Sequence, residues 1–125
     1  IVEIEIPDRL PGQGLGFNKI TRVHGEYAAA VAAARVDIDK TGTITGCRVV
    51  AGAVSPHPVA LDYVKDALVG KNIDEIDPDV ITAPIQKMFK PASDPRFDRD
   101  YRRKMTMVAT KRAIVQAIKM AKEDK

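Results

Sequence analysis

The chain has no tryptophan, a single cysteine and only 5% aromatic residues, and each scarcity removes a class of function. One thiol, Cys47, cannot close an internal disulfide or build a multi-cysteine metal site. Such sparing use of cysteine fits a reducing compartment, so the expected location is cytoplasmic. No apolar run reaches the about 20 residues that a membrane-spanning helix needs. Nor is there the basic, apolar and small-residue succession of a secretory signal, so no membrane partner is expected. An excess of one charge is also missing, with a formal net charge of +3. Basic residues crowd toward the C-terminus (Arg96, Arg99, Arg102, Arg103, Lys104, Lys111, Arg112), but Asp94, Asp98 and Asp100 interrupt them. That is the pattern of a solvated, salt-bridged helix rather than a phosphate-tracking groove, so no nucleic acid is expected.

What is present reads as one α+β domain. Ile1 to Ile6 alternates apolar and acidic residues after its first step and predicts a half-buried strand closed by Pro7. Asp8 to Gly16, punctuated by Pro11, Gly12, Gly14 and Gly16, predicts a loop. The alanine-rich run Tyr27–Ala34 has helical composition but leads straight into the alternating Arg35–Asp39. A long hairpin centred on Lys40-Thr41-Gly42 accounts for more of this stretch than a helix that breaks at Arg35. Beyond Pro58 the period changes. Val59, Leu61, Val64, Ala67 and Leu68 predict one face of a short helix ended by Gly70. A second helix is expected from about Pro78 to Met88, kinked or split at Pro84. The longest is expected over Asp98–Lys122, with Tyr101, Met105, Val108, Val115 and Ile118 as its apolar seam. Strands first and helices after predict an antiparallel sheet with about three helices packed on one face.

No catalytic constellation can be assembled from these residues. His24 and His57 lie far apart without a carboxylate at ligand spacing, and both read as loop or surface histidines. Cys47, in a predicted strand, reads as a buried inert thiol rather than a nucleophile. Ser55 and Ser93 lack the glycines of a nucleophile elbow. Gly12-Gln13-Gly14-Leu15-Gly16 invites a phosphate-binding reading but lacks the dinucleotide spacing and a clear following helix. A flexible connection is the better reading. The acidic run Asp74–Asp79 lacks a calcium-loop pattern and reads as acidity at a helix N-terminus.

Three segments in order resemble a known family. Phe17-Asn18-Lys19-Ile20-Thr21-Arg22, followed by Gly25-Glu26-Tyr27-Ala28, resembles the F-x-K-x-x-R…G-D-[FY]-A signature of the flavin subunit in molybdenum hydroxylases. This is the family of xanthine dehydrogenase and carbon monoxide dehydrogenase, and the signature opens the C-terminal domain of their medium, FAD-carrying subunit. Gly52-Ala53-Val54-Ser55-Pro56-His57-Pro58 is similar to its G-[GA]-V-[AS]-P-x-P turn. Pro91-Ala92-Ser93-Asp94-Pro95-Arg96, with Tyr101-Arg102 and Arg112-Ala113 beyond, resembles its closing segment. Here Glu26 stands for the usual aspartate, Val23 for the second of an arginine pair, and Ala60 for a common arginine.

The resemblance implies a division of labour. Residues 1–16 would be a lead-in strand and linker from an FAD-binding domain that this chain does not contain, and residues 17–125 the C-terminal domain. FAD would be held mainly by that other domain, with none bound tightly here. The other implied partners are iron–sulfur and molybdopterin subunits, between which and the flavin electrons pass. The chain would not be catalytic alone. Lys19 and Arg22 would place positive charge near the flavin or its diphosphate, and Glu26 would orient one of them or accept a hydrogen bond. The structural alternative is an ion-pair cluster pinning the hairpin. Arg96, Tyr101 and Arg102 would tie the loop before the last helix to that helix or to Asp94. The competing functional reading is a free-standing binding module of the same fold without redox activity.

Overall fold

The structure, a computed structural model, describes residues 1–124. Its sheet has four antiparallel strands in the order β1-β2-β3-β4, comprising β1 (Gln13–Ile20), β2 (Ala30–Ile38), β3 (Ile44–Gly52) and the short β4 (Val59–Ala60). The helices follow as α1 (Asp62–Leu68), α2 (Pro78–Thr82), α3 (Ile85–Met88) and α4 (Arg99–Glu123), with a 3-10 turn at Ile73–Glu75. Counting the split α2–α3 as one helical body, the expected sheet with three helices on one face is what forms.

The hairpin between β2 and β3 is made by local chemistry. Asp39 Oδ1 accepts from the N–H groups of Thr41 (2.8 Å) and Thr43 (3.0 Å) and from the Thr41 hydroxyl (2.6 Å). Gly42 supplies the positive φ (84°) that the turn requires. Pro84 divides the second helix as its lost N–H requires. Asp77 caps α2 by accepting from Asp79 and Val80, while Asp74 and Asp79 of the same acidic run pair with Lys122 and Lys111 on α4. Asp98 caps α4 by accepting from Tyr101 N at 2.7 Å.

Three expectations are corrected. Residues 1–10 form no strand, and Ile1, Val2, Ile4 and Ile6 are exposed. An alternating segment becomes a strand only beside a ladder partner, and among the described residues no strand pairs with this one. The expected loop is in part β1, which starts at Gln13 inside the glycine-rich stretch. Val59, expected on a helix, pairs instead with Ala51 in the sheet.

The apolar seam expected for α4 is corrected in part, since Met105 and Ile118 do pack, half-buried, against the core. Its buried face is Thr106, Ala109, Thr110, Ala113, Ile114, Ala117 and Ala121, whereas Tyr101 and Val115 are exposed. The reason is the surface it lies on. A Cβ on Gly14 would stand 1.8 Å from the Ala117 carbonyl oxygen, and one on Gly16 the same distance from that of Ala113. Helix backbone therefore rests on strand backbone, and only small residues fit between them. The buried Thr106 and Thr110 hydroxyls donate to the Arg102 and Thr106 carbonyls, so no hydroxyl is stranded. α4 also guards the free edge of β1, where Gln116 Oε1 accepts from Phe17 N at 3.0 Å. The core between layers is completed by Val36, Ile44, Val49, Leu61, Leu68 and Ile85. Among the described residues no helix is long and apolar enough to cross a membrane.

Candidate functional site

The head of α4 gathers three loops. Arg102, one turn into the helix, donates from Nε to the Ala29 carbonyl (3.3 Å), from Nη1 to that of Ala92 and from Nη2 to that of Ala53. One planar guanidinium thus joins the β1–β2 connection, the turn after β3 and the segment before α4. Its neighbours hold the same region: Arg99 Nε donates to Pro91 O (2.9 Å) and Arg103 Nε to Phe89 O (2.8 Å). The turn they secure carries strain, since Ala53 has a φ of 66°.

Beside this latch lies an ion cluster. The Glu26 carboxylate is only 9% exposed. It accepts from Arg22 N (3.1 Å), Arg22 Nε (3.2 Å) and Arg22 Nη2 (2.7 Å), with Arg96 Nη1 at 3.6 Å. Asp94 Oδ1 accepts from the N–H groups of Arg96 (2.7 Å) and Phe97 (3.0 Å), an Asx turn that sets the chain's direction into α4. The guanidiniums of Arg22 and Arg96 each sit 5.6 Å from the Phe97 ring centroid. Tyr101 stacks on the same ring at 5.8 Å. Arg22, Arg96, Phe97, Asp98 and Tyr101 line an open hollow here.

The electrostatics follow from these contacts. The Arg22 hydrogen bonds hold the Glu26 carboxyl below its ordinary range, and Glu26 in turn raises Arg22. The backbone N–H groups of Arg96 and Phe97, with the Arg96 guanidinium, hold Asp94 down likewise. Two guanidiniums face two carboxylates, so the cluster as a whole is neutral.

Of the residues singled out in the sequence, Arg22 and Glu26 are brought together. Lys19 is not. It projects from the exposed face of β1, paired in register with Val31, and its side chain makes no hydrogen bond or ion pair among the described residues. Arg96 is tied to Asp94 as expected, and Tyr101 packs on Phe97. Phe97 itself was missed, and its only signal in sequence is its place between an Asx turn and a helix cap. His24 and His57 are exposed. Cys47 is buried, its thiol pushed up to about 11 by desolvation, as an inert thiol should be. The described residues contain no group of three histidine, cysteine or acidic side chains able to hold a metal ion. Gly14 and Gly16, sealed beneath α4, have no room for a phosphate.

The sequence pattern of the CO dehydrogenase flavoprotein C-terminal domain matches residues 16–117, a stretch containing all three loops and Arg102. The chain belongs to the CO dehydrogenase flavoprotein C-terminal domain family. Among its relatives, the carbon monoxide dehydrogenase medium chain of Afipia carboxidovorans is 30% identical over 122 residues, covering 98% of this chain and 42% of that protein. Three solved structures share the fold of this family member. Carbon monoxide dehydrogenase from Hydrogenophaga pseudoflava aligns with a TM-score of 0.80 and 27% identity over 90% of this chain and 39% of that one. The enzyme from Oligotropha carboxidovorans gives 0.80 and 30% over 92% and 40%. Quinoline 2-oxidoreductase from Pseudomonas putida 86 gives 0.78 and 30% over 89% and 39%. The chain therefore spans about two-fifths of the length of each of these relatives.

Proposed function

We propose that this family member serves as the C-terminal domain of a molybdenum hydroxylase flavoprotein subunit. It packs against an FAD-binding domain and supports electron transfer between FAD, iron–sulfur clusters and a molybdopterin centre. The observation that carries this reading is the convergence of the three resembling segments at the head of α4. They are far apart in sequence, yet Arg102 and the Arg22–Glu26–Arg96 cluster hold them on one end of the domain.

The residues fit one side of a flavin site and not a whole one. Gly14 and Gly16, which in sequence suggest a diphosphate cradle, are closed by α4. The hollow offers the exposed ring of Tyr101 beside the Arg22 and Arg96 guanidiniums, over a Phe97 that is itself buried, a setting suited to flanking a flat ring system held by another domain. FAD, when bound by that domain, supplies the redox chemistry. This chain's residues shape and exclude water from one side, with Arg22 kept in orientation by Glu26.

FAD titration of the isolated chain, followed by flavin fluorescence, tests the reading. The expected result is no saturable binding, whether the chain is wild type, Lys19→Ala or Arg22→Ala. In the assembled flavoprotein, Arg22→Ala should leave FAD bound but shift its fluorescence or potential. Tight binding by the isolated chain, weakened by both substitutions, would show that it holds a cofactor site of its own and would overturn the proposal.

A further inference from the structure

All helices pack on one face of the sheet, so the other face of β1–β2–β3 is left bare by the described residues. The strand register lays that face out in rows. Leu15, Arg35 and Arg48 form one row, Phe17, Ala33 and Val50 the next, and Lys19, Val31 and Gly52 the last. The middle row is apolar, and Leu15 and Phe17 are 46% and 60% exposed. The small Ala33 at its centre leaves a shallow hollow on each side, one reaching Leu15 and Arg48, the other reaching Phe17, Gly52 and Pro58. Contiguous apolar surface with hollows of this kind marks a docking face.

The charges at its rim say what docks. Arg35 and Arg48 stand directly opposite one another on neighbouring strands, an arrangement that costs free energy unless counter-charge is supplied. Arg35 has Asp37 at 3.0 Å. The Arg48 guanidinium has no ion pair or hydrogen bond among the described residues, and neither does the Lys19 ammonium on the opposite rim. The strip is thus apolar along its middle and cationic on both flanks. A second copy of the same face would set these cations against each other, with Asp37 already engaged.

We propose that this sheet face docks a protein surface presenting apolar side chains flanked by carboxylates. The proposal rests on the reading that the chain works inside an assembly. It concerns the face on the far side of the sheet from α4, not the loops at that helix's head. Apolar burial in the hollows beside Ala33 supplies affinity, and carboxylates meeting Arg48 and Lys19 fix register.

The test is site-specific photo-cross-linking in the assembly purified through a tag on this chain. A photoreactive benzoylphenylalanine replaces Ala33, and in a control Lys119, which is exposed on α4. The expected product from position 33 is one protein segment with acidic residues flanking apolar ones. Arg48→Glu should lower its yield at least tenfold, and reversing the facing carboxylate to lysine should restore it. Cross-links to a second copy of this chain or to lipid, equal yields from both positions, or indifference to Arg48→Glu would each overturn the proposal. Flavin absorbance of the same preparations separates this from the functional reading. An assembly with FAD but no cross-link from position 33 sinks the docking face alone. A cross-linked assembly that never contains FAD sinks the functional reading alone.

Discussion

Gly16→Ala puts the packing of α4 on β1 to its sharpest test, because two lines of reasoning predict opposite signs. Glycine inside a strand is entropically unfavourable, so replacement by alanine in an open strand stabilises by roughly 0.5–1 kcal/mol. Here the added Cβ would lie 1.8 Å from the Ala113 carbonyl oxygen, 2.8 Å from its carbon and 3.0 Å from Ala117 N. All three are backbone atoms of a helix, so no side-chain rotation relieves the clash. α4 has to withdraw by more than about 1 Å, loosening contacts along the buried alanines. Overpacking by one methyl ordinarily costs about 1–3 kcal/mol, and a backbone-on-backbone clash belongs at or above the top of that range. For a domain of this size a loss of about 3 kcal/mol lowers Tm by on the order of 10 °C. Urea denaturation of the whole chain followed by far-UV circular dichroism measures it. Gly52→Ala is the contrasting case, expected to cost less, since the one atom its Cβ would meet, at 2.7 Å, is the Val31 Cγ1 methyl of a side chain and not helix backbone. A Gly16→Ala protein as stable as the wild type, or more so, would refute the close-packing argument.

The latch predicts that Arg102→Lys costs about 2 kcal/mol, because an ammonium cannot serve three diverging carbonyls at once; urea midpoints with unchanged slope would show it. Glu26 and Asp94 have lowered pKa values in the folded state, so the stability they lend is full above their ordinary carboxylate range and is lost as pH falls through the folded values. Stability measured from pH 6 downward should therefore decline more gently in Glu26→Gln than in the wild type, and identical profiles would remove Glu26 from the account. Ala53→Gly relieves a left-handed backbone (φ 66°) and should raise stability by up to about 1 kcal/mol, checked by calorimetry. Cys47, buried and with its thiol near 11, should react with a disulfide reagent at pH 8 only as fast as the chain opens, and a rate matching a free thiol would contradict its burial.

How much was legible in sequence depended on how local the cause was. The β2–β3 hairpin could be read because Asp39, Thr41 and Gly42 determine that turn among themselves. The split at Pro84 and the start of α4 were legible for the same reason. The buried face of α4 was not, because it is chosen by the strand beneath it. Val115 looks like core by hydrophobicity yet is exposed, whereas Ala113 and Ala117 are buried because only they fit over glycine. Gly14 and Gly16 read as loop punctuation for the complementary reason: nothing near them in sequence announces a helix about a hundred residues on. The Arg22–Glu26 pair was within reach, being four residues apart. The acceptors of Arg102 were not, since they are backbone carbonyls as far as 73 residues away and carry no side-chain signature.

The placement of charge gives the two surfaces separate identities. At the head of α4 every guanidinium named has its acceptor: Arg22 and Arg96 have carboxylates, and Arg102 has three carbonyls. Such a region is shaped and rigid but has little net charge to offer an anion, which suits a wall better than a cradle. The bare sheet face is the reverse, with Arg48 and Lys19 unmatched around an apolar strip. Lys19 and Arg22, three residues apart and paired as one site in the sequence, therefore belong to different surfaces. Arg22→Ala should disturb the loops around Phe97 without weakening a partner held on the sheet, and Lys19→Ala should do the opposite. If the two substitutions instead perturb the same partner to the same degree, the sheet face and the loop cluster form one continuous interface, and the separation argued here fails.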